Sequence, residues 1–182
     1  MAALFRVFPS VPTAATGEPG SPLYVPPPGA GRLDNPDLFS TLYLADSAAG
    51  AIAEAFGRFP EWTAAMLHGP SALPGSARAL AAYHLPGENR LCDLDDPRQL
   101  LALGLRPSGV VSRDYTKTRA WARRIFEQRD WSGVRWWSYY DPRWFSIGLW
   151  TTDPLTVRHV EPLHLKHPAM LEAARIIARR IV

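Results

Sequence analysis

A chain of 182 residues, 47% apolar and 20% charged, can bury a substantial core and is expected to fold as one domain over 1–182. The formal charge of +3 is too weak to argue for direct nucleic-acid binding, and suits a small anion or an acidic partner. One cysteine, Cys92, excludes an internal disulfide, and no apolar run approaches the roughly 20 residues of a membrane span.

Cys92 is expected to be a buried structural thiol in a reducing compartment. The opening MAALFRVFPS lacks the charged start and long apolar core of a signal peptide. The expectation is a soluble, cytoplasmic protein.

In chain order, Ala2 to Phe8 reads as a strand ended by Pro9. Residues 9–31 are a Pro/Gly-rich loop, long for a compact domain, which empties into Arg32. Leu38 to Ala45 is a short apolar segment carrying Tyr43. Asp46 or Ser47 can cap the helix that follows, which carries Glu54. Arg32, Tyr43 and Glu54 are thus spaced by eleven residues at each step, on loop, strand and helix. At about 100° per residue, Ile52 and Phe56 lie opposite Glu54 and point to a core. Ser47, Gly50, Ala51 and Arg58 lie near Glu54. That face leaves room for a ligand, although on the residues alone a solvated Glu54–Arg58 pair, common on helix surfaces, is the favoured reading.

Pro60 is expected to start a second helix, Glu61 to Leu67. Arg78 to Leu85 and Arg90 to Leu94 read as two strands joined at Pro86-Gly87-Glu88-Asn89. Asp96-Pro97 opens a helix through Leu103, stopped by Gly104. Asp114 to Gln128 is an amphipathic helix with Tyr115, Thr118, Ala122, Ile125 and Phe126 on its apolar stripe; its arginines suit a solvated face. Trp131 to Trp150 reads as two strands meeting at Tyr140-Asp141-Pro142-Arg143, with Ser138 in the first, between Trp137 and Tyr139. Leu155 to Leu165 reads as a last strand. The C-terminal helix (167–182) would place Met170, Leu171, Ala174, Ile177 and Ile181 on one face. About six strands and five helices, without strict alternation, predict an α+β domain with a split or mixed β core.

The phosphate-loop, dinucleotide-binding, zincin and nucleophile-elbow patterns are missing. His159, His164 and His167 lack metal-ligand spacing, so no metal is expected.

Gly-Arg at 31–32, then TLYLADSAAGAIAEAF, then VRWWS resemble the RES domain family, named for its Arg, Glu and Ser. Arg32, Tyr43, Glu54 and Ser138 fall on its motif positions, and FRV places Arg6 on a second recurring arginine. Departures are Ala30 for the first motif glycine, Leu33 for an aromatic residue, an extra Asp34 displacing Asn35, and Trp137 for the proline before the serine. The resemblance implies a fold similar to ADP-ribosyltransferases. It also implies a toxin that degrades NAD by hydrolysis or phosphorolysis, with NAD as substrate, no separate cofactor, and an Xre-family antitoxin as partner.

Those roles suit the chemistry. A carboxylate such as Glu54 stabilises an oxocarbenium-like sugar. Arg32, with Arg6, suits a pyrophosphate. Tyr43 could stack on nicotinamide or donate to it, and Ser138 could hold phosphate or the attacking group. Transfer of ADP-ribose to a protein, or an inactive partner-binding module, remain alternatives; a homodimer is compatible with either.

Overall fold

The computed structural model describes residues 3–29, 31–87 and 90–182. Its centre is a seven-stranded mixed sheet in the order β5-β6-β7-β2-β1-β4-β8. These strands are β1 (Ala3–Ser10), β2 (Leu42–Ala45), β4 (Ala77–His84), β5 (Leu91–Asp93), β6 (Gly133–Trp137), β7 (Phe145–Leu149) and β8 (Thr156–Pro162). Every pairing is antiparallel except β5 with β6. A two-stranded parallel ladder joins β3 (Glu61–Trp62) to β9 (Arg180–Ile181). With α1 (Ala48–Phe56), α2 (Pro97–Ala102), α3 (Pro107–Val110), α4 (Tyr115–Glu127) and α5 (Pro168–Ile176), the architecture is a single α+β domain, as expected.

Alternating side chains divide the sheet between two faces. Phe5 and Val7 of β1 turn towards α1 and α5, where Ile52, Phe56, Trp62, Leu80 and Met170 form a core. Phe56 meets Trp62 edge-on at 6.2 Å, and the Trp62 indole donates to the Phe56 carbonyl. Leu4 and Phe8 face the other way, onto a core that Leu23 and Val25 of the proline-rich loop partly cover. The Arg6 guanidinium fastens that loop, Nη1 donating to the Pro22 and Tyr24 carbonyls at 3.2 and 2.7 Å. A third core joins α2, α3 and α4 to β5 and β6 around Trp121, Ile125 and Trp136.

Several sequence expectations change. β1 runs past Pro9, which lies opposite Arg78. There β2 no longer pairs on the other flank, so a missing N–H breaks no ladder. Glu61–Leu67 is not an α-helix but β3 followed by a 3₁₀ turn, Ala64–Leu67, because β9 offers Glu61 and Trp62 a partner. β4 and β5 do not form a hairpin: β4 lies between β1 and β8, whereas β5 sits at the far edge of the sheet. Glu88 and Asn89 of their expected connection lie outside the described residues, as do Ala2 of the first strand and Ala30 of the arginine motif.

The C-terminal helix also ends early. Ala178 takes a left-handed φ of 52°, and the chain turns into β9. Arg179 then donates through Nε and Nη2 to the Gly57 carbonyl at the end of α1. Ile181 therefore packs through a strand, and Leu171 is exposed. On α4, Trp121 is buried and Tyr115 exposed, which shifts the expected stripe. No helix is long and apolar enough to cross a membrane among the described residues.

Candidate active site

The site begins where the sheet opens. β1 and β2 pair at a single position, Phe5 with Ala45, although both strands continue beyond it. A cavity of about 320 Å³ occupies that gap. Arg6 and Val7 border it from β1, Tyr43 and Leu44 from β2, Glu54 from α1, and Arg32 from the preceding loop.

Glu54 owes its place to the helix cap and to two serines. The Ser47 hydroxyl accepts from the Gly50 amide at 3.0 Å and fixes the first turn of α1. Ile52 and Phe56 are buried, which leaves Glu54 exposed on the opposite side, towards the gap. Its Oε1 accepts from Ser138 Oγ at 2.6 Å and from Ser146 Oγ at 3.3 Å. Arg58 instead stands 4.6 Å over the Phe59 ring. Ser138 follows β6, is buried, and accepts from the Tyr140 amide at 3.1 Å. It reaches the cavity through Glu54. Burial, and then the Glu54 charge, raise the Tyr140 phenol above its ordinary range.

Arg32 is placed by main-chain contacts. Its Nη1 donates to the Val110 carbonyl at 3.0 Å, and its own carbonyl accepts from Thr118 Oγ1 at 2.6 Å. Arg119 donates to the Gly29 and Gly31 carbonyls at 2.7 and 3.2 Å. From the other side, Asp34 Oδ2 accepts from the Gly29 and Gly31 amides at 2.8 and 2.7 Å. Tyr43 completes this network. Its hydroxyl donates to Asp34 Oδ1 at 2.8 Å and accepts from the Leu33 amide at 2.9 Å. Burial chiefly, with the Asp34 charge adding to it, holds the phenol well above its ordinary range, so it keeps the proton it donates.

The structure therefore brings Arg32, Tyr43 and Glu54 to one cavity and sets Ser138 behind Glu54. Arg6 borders the cavity while its Nη1 serves the proline-rich loop. Sequence reasoning missed Ser146, Asp34, Thr118 and Arg119. Ser146 could have been noticed as a lone hydroxyl in the otherwise apolar FSIGL strand. Asp34 carried a signal too, since a carboxylate just after a glycine-rich turn can collect free amides.

The RES domain family model matches residues 3–171. The chain belongs to the RES domain family. Comparison with curated proteins gives no match. Among solved structures, this RES domain is similar to a chain of the M. tuberculosis MbcT–MbcA toxin–antitoxin complex. The match has a TM-score of 0.63 and 18% identity, covering 97% of this chain and 89% of that one. At that identity the likeness concerns the fold.

Proposed function

We propose that this RES domain cleaves the nicotinamide–ribose bond of NAD, with water or phosphate as acceptor, and acts as the toxin of a toxin–antitoxin pair. The observation that carries the reading is the Glu54 carboxylate, oriented by two serine hydroxyls beside a cavity that Arg32 also borders. Breaking a glycosidic bond builds positive charge on the sugar, and a fixed carboxylate stabilises it without reorganising.

Ser138 and Ser146 both donate to Oε1. Oε2 is then the oxygen to face ribose. Arg32 has five N–H donors and spends one group on Val110, so the others serve the pyrophosphate. Arg6 adds positive charge at the same wall. Tyr43 sets the Arg32 loop through its hydroxyl and offers its ring to the ligand. Ser138 acts on the reaction through Glu54, whose Oε1 it holds.

An enzyme that consumes NAD must be silenced in its own cell. An Xre-family antitoxin covering the Arg32 side of the cavity is the partner this reading implies. The solved relative comes from a toxin–antitoxin complex, which supports the same kind of pairing.

The test is nicotinamide release from NAD by the purified protein, with and without phosphate and without any protein acceptor. Release in the wild type that collapses in Glu54→Gln supports the reading. Dependence on an added protein acceptor would instead favour ADP-ribosyl transfer, and no release at all a partner-binding module.

A further inference from the structure

A second cavity, of about 400 Å³, lies behind the first, and Val7 and Ala55 border both. Arg58, just past the end of α1, lines it from one side, Arg78 of β4 from another, and His68 from the 3₁₀ turn that follows β3. Among the described residues no acidic side chain lines it.

Two guanidiniums do not share a cavity without cost. Each repels the other, and half-burial of Arg78 removes part of its hydration. Burial, and then the Arg58 charge, lower the Arg78 pKa from its ordinary value. Other arginines of this chain find an acceptor: the partly buried Arg135 grips Asp93 at 2.8 Å, and Arg6 donates to the Pro22 and Tyr24 carbonyls. Among the described residues no carboxylate pairs with Arg58 or Arg78. The Arg78 Nε is buried with no hydrogen-bond partner, and the Arg58 guanidinium rests on the Phe59 ring.

We propose that Arg58, Arg78 and His68 form a second anion-binding site, separate from the Glu54 cleft, that takes a phosphate or pyrophosphate group. Two planar cations with forked donors match the charge and oxygen geometry of a phosphate dianion better than those of a single carboxylate. The imidazole of His68 supplies a further donor at the rim. The anion neutralises the mutual repulsion of the arginines, and their terminal nitrogens supply the donors. The proposal does not depend on NAD cleavage, since it rests on the two guanidiniums and the imidazole that line this cavity without a carboxylate among the described residues. The phosphate belongs to a separate molecule, or it is the pyrophosphate of the main cleft's own ligand, which would then lie at this site instead of at Arg32.

The experiment is an NMR titration of the labelled wild-type protein with pyrophosphate at constant pH, read at the His68 imidazole. That resonance is identified by its loss in His68→Gln. A saturable shift is expected, and Arg58→Gln and Arg78→Gln should each weaken the affinity read there by about tenfold. Arg58 is exposed, so its variant keeps the fold and decides the matter if Arg78→Gln does not. A repeat titration with NAD separates the two sources. A shift that pyrophosphate competes away means the cleft's own ligand extends into the site. A silent His68 under NAD means a separate phosphorylated molecule. Either result supports the site. The absence of any saturable shift with pyrophosphate, or equal affinity in wild type and both variants, would overturn it.

Discussion

The two charged groups of the main cleft are held in opposite ways. Glu54 sits on a regular helix and is steadied by side chains, the hydroxyls of Ser138 and Ser146 on the β6–β7 hairpin. Arg32 sits on an irregular loop and is steadied almost wholly through backbone. Asp34 collects two amides there, while Thr118 and Arg119 hold three carbonyls. The carboxylate is thus placed by elements that the core already fixes. The cation is placed by a polar network that has to be complete. Damage on the Glu54 side should appear in turnover or in global stability. Damage on the Arg32 side should appear first in ligand affinity.

The largest effect should come from the packing beneath Glu54. Phe56 is 4% exposed and meets Trp62, so Phe56→Ala should destabilise the fold by about 3–5 kcal/mol in urea unfolding. A change below 1 kcal/mol would mean that the helix is not anchored as described. Next comes Glu54→Gln. It keeps size but removes charge, and should lower turnover by about 10²–10³, the range for losing one preorganised transition-state contact. Its melting temperature should match the wild type, because Glu54 is exposed.

On the loop side, Asp34→Ala strands the Gly29 and Gly31 amides and the Tyr43 hydroxyl. The expected loss is about 1–3 kcal/mol of stability. The KM for NAD should rise more than turnover falls, because Arg32 loses its position while Glu54 keeps its own. Equal losses in both parameters would break the contrast between the two supports.

How legible was this from the residues? Glu54 was accessible, because helical spacing set Ile52 and Phe56 against it and both are buried. Ser138 was found by resemblance, but its contact with Glu54 spans 84 positions and no local pattern encodes it. Tyr43 was legible as a residue at the site, whereas its hydroxyl contacts depend on a loop whose path the sequence does not specify. The displaced Asp34 looked like an insertion in the motif; in the fold it is the acceptor that closes the loop. The larger misreadings share a cause. Pro86-Gly87 suggested a turn between neighbouring strands, yet strand order is decided by non-local pairing, and β4 finds β1 and β8 instead. Likewise, the apolar period of 169–182 could not reveal that β3 would recruit Arg180 and Ile181.

The smallest effect tests whether the hairpin that carries the serines is itself supported electrostatically. Asp141 lies in its turn, accepting from the Arg143 amide and Nε at 2.9 Å each and from Nη2 at 2.6 Å. These contacts, the Arg143 side chain foremost, hold the Asp141 carboxyl at about 2 rather than 3.8. A folded pKa below the unfolded one means that the stabilisation is fully present above the ordinary value and is lost as pH falls through the folded one. The window is therefore the acid limb from about pH 4 down to about 2. Its size should be modest, because the Arg143 side chain is 77% exposed and the pair is screened. Asp141→Asn should flatten that part of the acid-unfolding curve and leave nicotinamide release at neutral pH nearly unchanged. If turnover fell sharply instead, the turn would be positioning Ser138 and thereby Glu54. The support for the carboxylate would then extend beyond its two serines into the hairpin turn.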